Sequence, residues 1–215
     1  MRFGVGRAGA GAGAAVLVIV LTACGGPTVS PGVSVTTATD VPTPPSDVTT
    51  TPSIVATTPA PGAVAIDGTL LDPLPAAVGG IERRADPETA ADIAASADLA
   101  TSVEAIAVAL YIGPGASGAE DLAIVSLARL LPGVFSEGWF RSWRETYDAA
   151  ACEPAGGVTT GSAEATLGGR TTFIGTCRNG VHTYHVRLVD PDRVVAITAV
   201  GEGRLGERIV ESLTE

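Results

Sequence analysis

The chain has no lysine: all 13 basic residues are arginine. Every mechanism that needs an ammonium side chain is thereby excluded, among them a P-loop lysine, a pyridoxal Schiff base and a Ser-Lys dyad. Histidine is nearly as scarce. The two present are His182 and His185, so a Ser-His-Asp triad must use one of them, and no G-x-S-x-G segment offers a nucleophile. Positive charge is short as well. Past Arg7, 11 Arg face 23 Asp plus Glu, a net charge of −12. That balance argues against nucleic acid and against adhesion to anionic lipid. Cysteine is limited to Cys24, Cys152 and Cys177.

What the sequence does contain begins at its N-terminus. Arg2 and Arg7 are the only charges before Asp40, and residues 8–20 are small or apolar. A positive start and a short apolar run are the layout of a secretory signal. The run of about 16 residues is short of the roughly 20 that span a membrane. It ends in Leu21-Thr22-Ala23-Cys24, followed by two glycines. An aliphatic residue, two small ones and a cysteine make a lipobox, and over residues 1–26 the chain resembles a bacterial lipoprotein precursor. The resemblance implies a signal peptide over 1–23, cleavage before Cys24, and acylation of the Cys24 thiol and the new amine. It also implies a place on the extracytoplasmic face of the cell membrane. Two or more acyl chains are what stable anchoring takes.

In that compartment Cys152 and Cys177 form an even pair, most simply a disulfide. Closing the loop between them stabilises by about 3 kcal/mol in the chain-entropy model. Two buried free thiols are the alternative.

Residues 27–62 hold eight Pro and ten Thr and almost no large apolar side chains. Such a stretch cannot bury enough surface to offset its ordering entropy, so 24–63 is expected to be a lipidated cysteine and a disordered linker. Proline-rich chain extends by up to about 3.1 Å per residue, giving a spacer on the order of 100 Å. Its Ser and Thr density also permits O-glycosylation.

Residues 64–215 have the length of one globular domain. Asp86-Pro87 supplies an acidic N-cap and a proline at the first turn of a helix. Residues 103–112, VEAIAVALYI, alternate Ile/Val/Leu with Ala and Tyr, so both faces are apolar and the segment reads as a central strand with something packed close on its alanine side. Residues 121–131 fit a strand better than a helix, although Ser117 and Glu120 form a possible capping box. Residues 136–151 read as a helix capped by Ser136 and stapled by Phe135 and Phe140. Phe140, Trp143 and Tyr147 form its core stripe, and Arg141–Glu145 and Arg144–Asp148 are outer pairs. Trp139 is left over as a candidate contact residue. The segments TTFIGTC and VHTYHVRL flank Asn179-Gly180, a strong hairpin signal. A two-residue turn there pairs Cys177 with His182, Gly175 with Tyr184 and Phe173 with Val186, all on the face that receives the 136–151 helix. His185, with Thr183 and Arg187, is expected on the wet face and is the second candidate contact residue. Asp190-Pro191-Asp192 turns the chain into a further strand, RVVAITAV. A last helix over 204–214 buries Leu205, Ile209 and Leu213. The fold class is α+β, an antiparallel sheet with helices mainly on one face.

The chemical motifs do not assemble. His182 and His185 on a strand point to opposite faces and cannot share a metal. GEGRLG, 201–206, fits a dinucleotide fingerprint but lacks the second strand and the later acidic residue. GVGRAG near the N-terminus matches the same pattern by chance. Glu120-Asp121 and Asp190 with Asp192 read as cap and turn formers. No cofactor, metal or catalytic residue is therefore expected. The leading expectation is a membrane-anchored, non-enzymatic domain that binds a protein or small ligand or serves envelope assembly. The alternatives are an envelope hydrolase using His182 or His185, and a structural spacer. A histidine with Ser or Asp in an open pocket favours the hydrolase; an apolar pocket between helix and sheet favours binding.

Overall fold

The alternating segments named above all lie within the residues that the computed structural model describes: 63–115, 118–157, 159–189 and 192–214. The expected signal peptide, Cys24, the linker to residue 62, Ser117, Asp190 and Pro191 lie outside them. In chain order the elements are β1 (Ala65–Ile66), β2 (Ala77–Val78), β3 (Ile81–Ala85), α1 (Pro87–Ala94), β4 (Val103–Pro114) and β5 (Glu120–Leu130). Then follow α2 (Glu137–Cys152), β6 (Gly161–Leu167), β7 (Arg170–Thr176), β8 (Val181–Leu188), β9 (Arg193–Val200) and α3 (Leu205–Glu211).

Among the described residues the strands make one sheet in the order β2-β3-β4-β5-β9-β8-β7-β6. β1 lies parallel along the same edge of β4 as β3, and the other pairings are antiparallel. From β5 the chain crosses one face as α2, reaches the outer edge as β6, and folds back strand by strand until β9 pairs with β5.

Local chemistry accounts for the elements. Asp86 accepts from the Thr89 amide with Pro87 at the first turn of α1, and Ser136 accepts from the Trp139 amide to start α2. Phe135 and Phe140 staple that start, with ring centroids 5.8 Å apart. The segment 121–131 is a strand, paired on both sides by β4 and β9. The alanine side of β4 admits a close neighbour: Leu70, Leu71 and Leu74 bury against it, and the Tyr111 hydroxyl donates to the Pro75 carbonyl at 2.6 Å.

The architecture is α+β with α1 and α2 on one face of the sheet and α3, with segment 70–75, on the other. On the α3 face Tyr111, Val125, Leu127, Val186 and Ile197 close over Leu205 and Ile209. The final helix buries Leu205 and Ile209 as its spacing predicts, and Leu213, buried just past its end, joins the same core.

The β7–β8 hairpin departs from the expected register by one residue. Its loop holds three residues, Arg178, Asn179 and Gly180, closed by the Cys177 amide donating to the Val181 carbonyl at 2.9 Å. Asn179 and Gly180 both take left-handed conformations, which suits this pair of residues. Gly175 therefore faces Thr183, and Phe173 faces His185. A one-residue slip exchanges the faces of a strand. Here it sends Tyr184, Val186 and Leu188 into the α3 core and turns Thr183, His185 and Arg187 beneath α2. Apolar area decides the register, because the alternative would place the polar set of β8 against the larger core.

Candidate functional site

The two helices on the α1/α2 face both contribute side chains to one apolar cluster. α1 begins beside Val108, where the Asp86 amide donates to the Val108 carbonyl, and its far end packs with Leu99 and Val103. α2 lies over β8 and β9. Between them runs a cleft whose floor is β4, β5 and β9. Ile93 and Leu99 form one wall, Trp139 and Trp143 the other, and Ile106 and Ser126 belong to the floor. None of the 12 lining residues is charged. The unfilled inner volume is about 40 Å³, widening to about 560 Å³ with the mouth included. Trp139 and Trp143 stack with centroids 5.9 Å apart and planes 6° apart, which makes a flat wall. Trp139, the candidate contact residue, lies half-buried along it.

The apolar floor continues past the cleft. Leu110 pairs with Ile124, and Ile112 with Leu122, on the same face and beyond the start of α1. All four are half-buried.

Beneath α2 lies a polar cluster. His185 Nε2–H donates to Asp148 Oδ1 at 2.7 Å, and the Thr183 hydroxyl donates to the same oxygen at 2.5 Å. The His185 ring is 1% exposed and packs edge-on against Trp143 and Tyr147, with centroids 5.4 and 5.1 Å away. The Tyr147 hydroxyl bonds the Thr198 hydroxyl at 3.0 Å, and burial pushes the Tyr147 pKa up to about 12. The expectation that His185 lies on the wet face is thus corrected. The register shift turns it inward, and Asp148 on α2 becomes its partner. The expected outer pair Arg144–Asp148 also turns inward: Asp148 serves His185 and Thr183, while Arg144 lays its guanidinium over Phe173 at 3.5 Å. Burial lowers the Arg144 pKa. His185 has the carboxylate that hydrolase chemistry asks for but no opening; it lines none of the clefts described here.

His182 sits on the opposite side of β8, half-buried beside the buried Tyr184 in a hollow of about 340 Å³ that also includes Glu202 and Arg204. It does not adjoin the disulfide's face as expected. Cys152 and Cys177 are joined by a disulfide that ties the end of α2 to the β7–β8 hairpin. The GEGRLG segment has a structural account. Asp121, 3% exposed, accepts from the Gly203 amide at 3.3 Å. A Cβ at Gly115, Gly201 or Gly203 would collide with the Asp121 carboxylate. The glycines make room for an acid of the protein itself rather than for a phosphate.

Sequence reasoning missed Asp148 as a partner of His185, since its i,i+4 spacing to Arg144 pointed outward. It also left Ile93, Leu99 and Ser126 unassigned. No local signal marks them, because the cleft is assembled from α1, α2 and three strands that are distant in sequence. Among the described residues no three His, Cys, Asp or Glu side chains gather as metal ligands, and no helix is long and apolar enough to cross a membrane. Compared with known proteins, the chain matches no family model, no curated protein and no solved structure.

Proposed function

We propose that the chain is a lipid-anchored, extracytoplasmic, non-enzymatic domain that binds an apolar ligand between α1 and α2. The uncharged cleft carries the binding half of this reading. Ligand sites are typically concave and mostly apolar with a few polar groups, and here the polar groups are Ser102, Ser126 and Tyr147. The anchoring half rests on the lipobox at Cys24. The hydrolase reading has less support, because the histidine with an acidic partner is sealed under a helix.

Two measurements test the halves separately. Cys24→Ser should move the protein from the membrane to the soluble fraction; a variant that stays with the membrane would contradict acyl anchoring. For the cleft, Trp139 and Trp143 are the only tryptophans in the chain and both line it, so they report on its contents. An anilinonaphthalene sulfonate dye should bind one per chain and quench both. Saturable dye binding with unchanged tryptophan emission would place the ligand elsewhere.

A further inference from the structure

The two ends of the sheet are finished differently. At one end β2 spans two residues, and β1, also of two, lies along the edge of β4. At the other, β6 runs for seven residues, Gly161–Leu167, and among the described residues it pairs on one side only. Its register with β7 is unbroken from Gly161 to Leu167, so no bulge twists the edge away. It holds no proline and a single charge, Glu164. Natural proteins blunt such edges, because the free backbone groups are a template for another strand. The turn fixes which groups are free. Gly168 and Gly169 have left-handed φ of 55° and 79° and lie between the paired Leu167 and Arg170. In a two-residue turn of this kind the flanking pair exchanges both backbone hydrogen bonds, and bonded pairs then alternate along the ladder. Ala165 and Ala163 therefore bond to β7, while Ser162, Glu164 and Thr166 turn their N–H and C=O groups outward.

We propose that residues 33–39, within the chain's own Thr- and Pro-rich linker, add to this edge as a further strand of the sheet. Composition selects the segment. Residues 32–41 are the longest stretch of 27–62 without proline, and 33–39, VSVTTAT, is uncharged with five β-branched residues of seven. Val and Thr suit a strand, and proline would remove the donors that pairing needs. Reach selects it too. The linker enters the domain beside β1, and seven strand spacings, about 34 Å, separate β1 from a strand outside β6. The 24 residues from Thr39 to Ala63 extend to about 74 Å. The shorter proline-free run 53–58 would have to cover the same distance with five residues, which span about 17 Å. Run 46–51 carries Asp47. Charge argues against a second copy of β6. Self-pairing in full antiparallel overlap sets Glu164 opposite Glu164, and like charges directly opposite are destabilising. Sliding by two residues avoids the clash but shortens the ladder. Residues 33–39 bring no charge to Glu164, and their tether gives them a local concentration that a separate peptide lacks. The docking depends on neither half of the reading proposed above; its consequence draws on the anchor. Val33 lies nine residues from Cys24. The docked domain therefore stands within about 30 Å of the acyl chains instead of on the order of 100 Å.

The test is amide–water exchange, read residue by residue by NMR, on residues 24–215 carrying Cys24→Ser. After correction for sequence, amides of 33–39 should exchange more slowly than those of 46–51 by about tenfold or more. Thr37→Pro lies outside the folded domain and should abolish that protection, together with the protection of Ser162, Glu164 and Thr166. Thr166→Pro should free 33–39 from the other side, because its N–H faces outward and the β6–β7 bonds survive the change. If Thr166→Pro fails to fold, Thr37→Pro still decides the matter. Exchange of 33–39 at the rate of 46–51 would overturn the proposal. So would protection of Ser162, Glu164 and Thr166 that survives Thr37→Pro or grows with protein concentration, the mark of a second copy on this edge.

Discussion

On the α3 face of the sheet, Tyr111, Val125 and Leu127 are sealed beneath Leu205 and Ile209, while on the α1/α2 face Leu110, Ile112, Leu122 and Ile124 of the same two strands remain half-buried. Both faces of β4 and β5 are apolar, so hydrophobicity does not distinguish them. What differs is the cover. Segment 70–75 and α3 together close one face. On the other, α1 spans only eight residues and α2 is drawn to the opposite side by the disulfide and by Asp148. A strand buried on both faces therefore does not imply two closed cores: one face supplies the stability, and the other is left with a groove.

The comparison can be broken most directly by truncation on each side. Ile209→Ala in the closed core should cost about 2–5 kcal/mol by urea unfolding, and Ile93→Ala in the cleft wall under about 1 kcal/mol, because a side chain already half in water loses less. Equal costs would show the groove to be packed shut in solution. Smaller in effect is Asp148→Ala. It leaves His185 and Thr183 as buried donors without their acceptor, at about 1–3 kcal/mol. A neutral result would mean that α2 already lifts from the sheet. The weakest effect appears only in alkali. Burial pushes Tyr111, Tyr147 and Tyr184 up to about 12 from an ordinary 10.0. An unfolded chain releases these protons near pH 10 and the folded one does not. The stabilisation is thus complete below about pH 10 and is lost as pH rises toward about 12. Tyrosinate absorbance should appear together with loss of circular dichroism. Ionisation of Tyr147 ahead of the other two would show that the α2 face opens on its own.

Much of the fold was legible from sequence for identifiable reasons. β4 announced itself by alternation, α2 by Ser136 and its staple, and the disulfide by cysteine parity. β6 was not read, although Gly168-Gly169 between β6 and β7 is a hairpin signal; its exposed Ser, Ala, Glu and Thr carry no strong period. The β7–β8 register was misjudged because Asn-Gly does not say whether Arg178 belongs to the turn, and only the α3 core, assembled from distant segments, decides it. The candidate site was barely legible. Trp139 stood out as a surplus aromatic, but a gap between two helices leaves no pattern in either helix.

Asp121 offers a different kind of consequence. Its carboxylate occupies the space that three side chains would need, at positions 115, 201 and 203. Two pairs of sites, 115 with 121 and 201 with 203, are thereby tied together across the chain. Losing the acid would relieve position 203 alone, because Gly201 also has a left-handed φ of 119° and Gly115 also abuts the Ala119 carbonyl.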